Sequence, residues 1–149
     1  MQPLNLPAYN FKLRETEGKA YILDEVRKKY VALTPEEWVR QHFIQYLIQE
    51  KGYPGSLIQV EAFFRTGNRN LRADIIARNT SGNPILIVEC KAPEVNITQE
   101  VFDQAAKYNM KWKSPYLVVT NGFKHFCCKI DYDQQKFQFV KEIPDYKIF

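Results

Sequence analysis

The chain has 149 residues, 45% hydrophobic and 14% aromatic, which suits one compact domain with a single core and excludes disordered, collagen-like and fibrous classes. No apolar run approaches the roughly 20 residues that span a bilayer, and the opening MQPLNLPAYNFKLRE lacks the basic-then-apolar order of a signal peptide. Cys90 stands alone and Cys127 and Cys128 are neighbours that point to opposite faces of a strand, so no disulfide framework is implied. The expectation is a soluble cytoplasmic protein in a reducing compartment, with one domain over 1–149. A phosphate-cradling G-x-x-x-x-G-K-[ST] loop is missing from these 149 residues, so no helicase or motor ATPase domain is expected within them.

Net charge is +4, which permits a polyanionic partner without demanding one. Arg65, Arg69, Arg72 and Arg78 fall in one short stretch with a single acid, Asp74, between them, and Lys107, Lys111 and Lys113 cluster further on.

Residues 1–30 show no sustained period, and a strand or two anchored by Tyr9, Phe11, Tyr21, Ile22 and Leu23 is expected there. Thr34-Pro35-Glu36-Glu37 offers an N-cap hydroxyl, proline at the first helical position and an acid at the third. Val39, Phe43, Tyr46 and Leu47 then recur at helical spacing, predicting a helix from Pro35 to Glu50. Gly52, Pro54 and Gly55 end it.

Three strand signals follow, at 57–64, 71–78 and 85–89. The turn formers of 79–84 join the last two as an antiparallel hairpin. Asn96-Ile97-Thr98 opens a second helix carrying Val101, Phe102, Ala105, Tyr108 and Trp112, closed by Pro115. A strand at 116–120 ends at Asn121-Gly122, and 126–130 with 136–140 reads as a closing hairpin. A meander followed by a helical crossover gives a mixed α/β sheet flanked by helices.

The hairpin register locates the chemistry. A turn centred on Ser81-Gly82 pairs residues whose numbers sum to 163, which sets Ala77 against Leu86 and Asp74 directly against Glu89. Strand alternation puts Lys91 on the face of Glu89 and Cys90 on the other. Opposed carboxylates repel, and a divalent cation cancels that repulsion. Carboxylate oxygens suit Mg²⁺ or Mn²⁺, and a neighbouring ammonium can hold the attacking water or the charge that grows on phosphorus. The plainer reading is a salt bridge between Lys91 and one acid at a sheet edge.

Asp74 followed by Glu89-Cys90-Lys91 resembles the D…E-x-K signature of the PD-(D/E)XK nuclease superfamily, whose restriction-endonuclease-like αβββαβ core has the same order of elements. Gln104-Ala105-Ala106-Lys107-Tyr108 is similar to the Q-x-x-x-Y motif of RecB-like nucleases and of type I restriction enzyme R subunits. The phrases 35–41, 88–93 and 119–122 also look like the N-terminal region of those subunits. The likeness covers about residues 30–130, and the proline expected before Asp74 is Ala73. It implies Mg²⁺ (or Mn²⁺) on Asp74, Glu89 and the main-chain carbonyl of Cys90, Lys91 orienting or activating water, and Gln104 and Tyr108 reaching over the site. Glu37 is the candidate for an added acid from the first helix, although its capping role explains it without metal.

The leading expectation is therefore a metal-dependent deoxyribonuclease whose Arg65, Arg69 and Arg72, on the connection of the first two core strands, contact DNA phosphates. The alternative is a DNA-binding or assembly module of a restriction system that needs a partner, such as a separate motor or specificity subunit, for cleavage. Homodimerisation is left open. His42 and His125 have no Cys or His partner at metal spacing and read as structural or solvated; Cys127 and Cys128 read as core, and Trp38 and Trp112 as packing residues, either of which could border a nucleic-acid groove.

Overall fold

The structure, a computed structural model, describes residues 2–149; the side chains of Phe64, Thr66 and Arg69 lie outside that description. Three short antiparallel strands, β1 (Leu13–Thr16), β2 (Lys19–Asp24) and β3 (Lys29–Ala32), form a small sheet of their own. The third strand exceeds the expectation of one or two. Its Lys-Tyr-Val-Ala run shows no alternation and is at most half-buried (Lys29 and Ala32 are exposed), so only pairing with β2 makes it a strand.

Helix α1 (Pro35–Gln49) starts where its cap dictates. Thr34 Oγ1 accepts from the Glu37 N–H at 3.0 Å. The reciprocal half of a capping box is missing, because the Glu37 carboxylate turns inward to cations instead. Strands β4 (Ile58–Thr66), β5 (Arg69–Arg78) and β6 (Pro84–Cys90) make the meander, α2 (Gln99–Asn109) the crossover, and β7 (Tyr116–Thr120), β8 (His125–Asp131) and β9 (Lys136–Val140) complete a sheet of six strands in chain order. Only β6 and β7 are parallel, as a helical crossover requires. β4 and β5 run closer to their turn than expected, because Gly67 at φ 59° permits a two-residue connection.

Each face of the sheet carries its own core. Val39, Phe43, Ile44 and Leu47 of α1 pack on Ile75, Leu86, Val88, Cys90 and Cys127. Phe102, Ala105 and Ala106 of α2 pack on Ile76, Ile87, Leu117, Val119 and Cys128. Cys127 and Cys128 thus face opposite layers, and all three cysteines are free and buried. No helix among the described residues is long and apolar enough to cross a membrane.

The Thr120-Asn121-Gly122 phrase closes the end of β7. Thr120 Oγ1 accepts from Gly122 N–H, Asn121 Oδ1 accepts from the amides of Phe123 and Lys124, and Asn121 Nδ2 donates to Val95 O at 2.8 Å, tying down the loop that follows β6. Gly122 has φ 89°, and a Cβ there would stand 2.8 Å from Leu4 Cδ2 and 3.2 Å from Val39 Cγ2. Gly122→Ala is expected to cost about 2 kcal/mol or more, from left-handed strain plus overpacking; a urea unfolding midpoint equal to wild type would refute this.

Candidate functional site

The site forms where β5, β6 and the start of α1 meet. The hairpin keeps the expected register over Ile75↔Val88, Ile76↔Ile87 and Ala77↔Leu86, and shifts by one at Arg78↔Pro84. It is set by Asn79, whose side chain accepts from the amides of Ser81 and Asn83. The next rung, expected to be a direct Asp74–Glu89 pair, does not form. Cys90 N–H donates instead to Asp74 Oδ2 at 2.7 Å.

The cause is a break in strand alternation. Ala73 packs in the α2-side core and Ile75 in the α1-side core, so the side-chain period of two fails at Asp74. Across the β4–β5 ladder the same happens at Glu61, between Val60↔Ile75 and Ala62↔Ala73, and Glu61 has φ 50°. A positive φ inside a strand is a real outlier for glutamate.

The acids nevertheless converge. Glu36, Arg40, Glu61, Arg72, Ala73, Asp74, Glu89, Cys90, Lys91 and Tyr108 line one cavity of about 300 Å³. The side chains of Asp74, Glu89 and Lys91 are 22%, 19% and 34% exposed, open to a ligand yet partly desolvated. Lys91 Nζ lies 3.1 Å from Glu89 Oε2, and the Lys91 amide donates to Thr120 O at 2.7 Å, which fixes its backbone to β7. Burial and the facing Asp74 carboxylate push Glu36 above the usual carboxylate range, against the pull of Arg40 and Lys91.

Gln104 and Tyr108, one turn apart on α2, line an adjoining recess of about 270 Å³ with Glu89 and Lys91. Tyr108 is partly exposed, and its hydroxyl accepts from the Arg72 N–H at 2.9 Å. The two motif residues therefore sit beside the carboxylate cavity. Arg72 lines that cavity with its side chain largely in solvent, and Arg65 is exposed near the hairpin tip. The Arg69 side chain lies outside the described residues.

Glu37 occupies a different place from the one expected of a metal ligand. It is buried, with Oε1 2.6 Å from Arg40 Nη1 and Oε2 3.0 Å from both Arg27 Nη2 and Gln41 Nε2. The first-helix acid that reaches the cavity is its neighbour Glu36.

Besides Glu36 and Glu61, two further residues of the site escaped the sequence reading. Arg40 is buried and donates to Asp74 Oδ1 at 3.0 Å; spaced three and four residues from acids, it looks like an ordinary surface pair. Asn109 is buried and donates to Glu89 Oε1 at 3.2 Å and to Ala105 O. The available signal was a polar residue one turn after Ala105 on the apolar stripe of α2.

Among the described residues, no three of His, Cys, Asp and Glu close around one point. The donors present are hard oxygens, which fit Mg²⁺ or Mn²⁺, ions that need only one or two protein carboxylates and complete their shell with water and phosphate oxygens. The Cys90 carbonyl leaves the strand on the same side as the N–H that meets Asp74, since an extended residue presents both groups to one edge.

The histidines are structural. His42 Nδ1 donates to Trp38 O at 2.8 Å, and His125 Nε2 donates to Asn5 O at 2.9 Å while its Nδ1 accepts from Thr120 Oγ1. Burial lowers both pKa values below 6.5. The unfolded chain then binds more protons at these two groups than the native one, so their contribution to stability is present above about pH 6.5 and is lost as pH falls toward the native pKa values. Urea midpoints should fall between pH 7.5 and 5 in wild type and less steeply in His125→Gln; parallel slopes would refute the assignment.

The family described as Type I restriction enzyme R protein N terminus (HSDR_N) matches residues 35–144. The chain belongs to that family. The match begins at the first residue of α1 and runs beyond β9, so this N-terminal family region contains every residue of the cavity, while the β1–β3 sheet lies before it. A solved fragment described as an HsdR subunit of a type I restriction enzyme from Vibrio vulnificus YJ016 has the same fold, with TM-score 0.52, 22% identity, and coverage of 75% of this chain and 24% of that one. The chain thus spans about a quarter of that solved chain. No curated protein gave a match.

Proposed function

We propose that this domain is the nuclease part of a type I restriction system and hydrolyses phosphodiester bonds of DNA with Mg²⁺ or Mn²⁺. The observation that carries this is the convergence of Asp74, Glu89 and Lys91 on one partly desolvated cavity in a chain of the R-subunit N-terminal family. Asp74, Glu89 and the Cys90 carbonyl would hold the ion, with Glu36 at the rim. When bound, the ion supplies a polarised phosphoryl oxygen and a more acidic water.

The chain's own residues do the rest. The Lys91 ammonium, oriented by Glu89, donates to the attacking water or to the oxygen on which charge grows. Asn109 holds the other Glu89 oxygen. Gln104 and Tyr108 align the substrate backbone along the adjoining recess, and Arg65, Arg69 and Arg72 bind phosphates in a sequence-independent, salt-sensitive manner. Other subunits of the system, a motor and a specificity subunit, would deliver the DNA.

One observation favours the second reading, a DNA-binding or assembly module. Both Asp74 oxygens already have partners, Arg40 and the Cys90 amide, so an ion must share or displace one. Calorimetry with MnCl₂ separates the readings: binding in wild type that is lost in Glu89→Ala supports the nuclease, and no heat at millimolar Mn²⁺ supports the module.

A further inference from the structure

From the cavity wall inward runs a chain of ion pairs whose cations, Arg40 and Arg27, the proposed chemistry does not use. Arg40 Nη1 lies 2.6 Å from Glu37 Oε1, and Nη2 lies 3.0 Å from Asp74 Oδ1 and 3.1 Å from Glu36 Oε1. Glu37 Oε2 continues to Arg27 at 3.0 Å, and Arg27 to Asp24, a fully buried carboxylate that also accepts from Gln41. Asp24 closes β2, so the chain links the N-terminal sheet to Asp74 and, through it, to the Cys90 amide. Glu61, held at φ 50°, adds its carboxylate 3.1 Å from Arg27 and 3.5 Å from Arg40.

Stability is a poor reason for this arrangement. Buried ion pairs are often replaceable by apolar side chains at no loss, and Arg40 Nε is buried without an acceptor among the described residues, a cost rather than a gain. Backbone strain such as that at Glu61 persists only where surroundings over-determine it. What the network supplies is geometry. A planar guanidinium fork fixes two carboxylates in direction as well as charge, and here it separates Glu36 from Asp74, which would otherwise repel across the cavity.

We propose that Arg40 is a positioning residue that fixes the Asp74 carboxylate against the Cys90 amide, and that Asp24 and Arg27 of the N-terminal segment lock Arg40 through Glu37. Its purpose rests on the nuclease reading; its geometry does not. Asp24 and Arg27 precede the 35–144 family match, so the small sheet is a working part of the site and not a separate appendage.

Amide exchange in the ¹⁵N-labelled 149-residue protein tests this, with the Val88 amide as control on the same strand. Arg40→Met is expected to speed Cys90 exchange relative to Val88 by about tenfold or more; Arg40→Lys, a point charge without a fork, gives an intermediate effect, and Arg27→Met a smaller one. An unchanged Cys90-to-Val88 ratio in Arg40→Met, or in Arg40→Lys where the methionine variant does not fold, overturns the proposal. In plasmid nicking, Arg40→Lys is expected to lower kcat with KM for DNA unchanged. A moved ratio in a protein that neither nicks DNA nor binds Mn²⁺ sustains the positioning role and removes the nuclease reading; an unmoved ratio in an active nuclease does the reverse.

Discussion

Lys91→Ala is expected to reduce Mg²⁺-dependent nicking of supercoiled plasmid by about a hundredfold or more, the scale of removing one donor aimed at developing charge. The fold should not suffer. Lys91 has one partly exposed ion pair, with Glu89, and such pairs contribute about 0–1 kcal/mol. Its backbone bond to Thr120 is independent of the side chain. Asp74→Ala should abolish nicking as well, but with a stability cost, because Arg40 and the Cys90 amide lose an acceptor. Equal nicking by wild type, Lys91→Ala and Asp74→Ala would end the catalytic assignment.

Glu37→Ala is expected to be the most destabilising substitution in the site, costing about 3–5 kcal/mol, the scale of leaving buried charges without their partner. Arg27, Arg40 and Gln41 all donate to this carboxylate, and Arg40 is held strongly protonated: burial pulls its pKa down, but Glu37 and Asp74 more than reverse that. The helix cap survives, since it uses only the Glu37 backbone. Against a typical domain stability of about 5–15 kcal/mol, the loss should be plain in a urea titration at neutral pH. Glu36→Ala, whose side chain is half in solvent, should stay within about 1 kcal/mol. If Glu37→Ala kept full stability while weakening Mn²⁺ binding, the acid would be a ligand and not a keystone.

Much of the fold was legible because local rules and tertiary demands agree. Thr34 and Thr98 cap their helices, and the Asn79 turn sets the β5–β6 register. What stayed hidden lies where they disagree. Strict alternation assigns Asp74 and Glu89 to one face, whereas the break at Glu61 and Asp74 turns Asp74 toward Arg40. Nothing in the spelling of a strand announces such a break. Glu36 and Glu37 are likewise indistinguishable as neighbours in sequence; a rotation of about 100° around the helix puts one in the cavity and the other in the buried ion-pair chain.

The five-residue turn from Asn79 to Asn83 now carries a meaning beyond its shape. Because Asp74 is on one arm of that hairpin and Glu89 on the other, the turn acts as a ruler. A single inserted residue would slide every rung of β5 against β6 by one place and carry the Cys90 amide away from the carboxylate it caps. Its length is therefore under the same constraint as the acids themselves, although none of its residues touches the cavity.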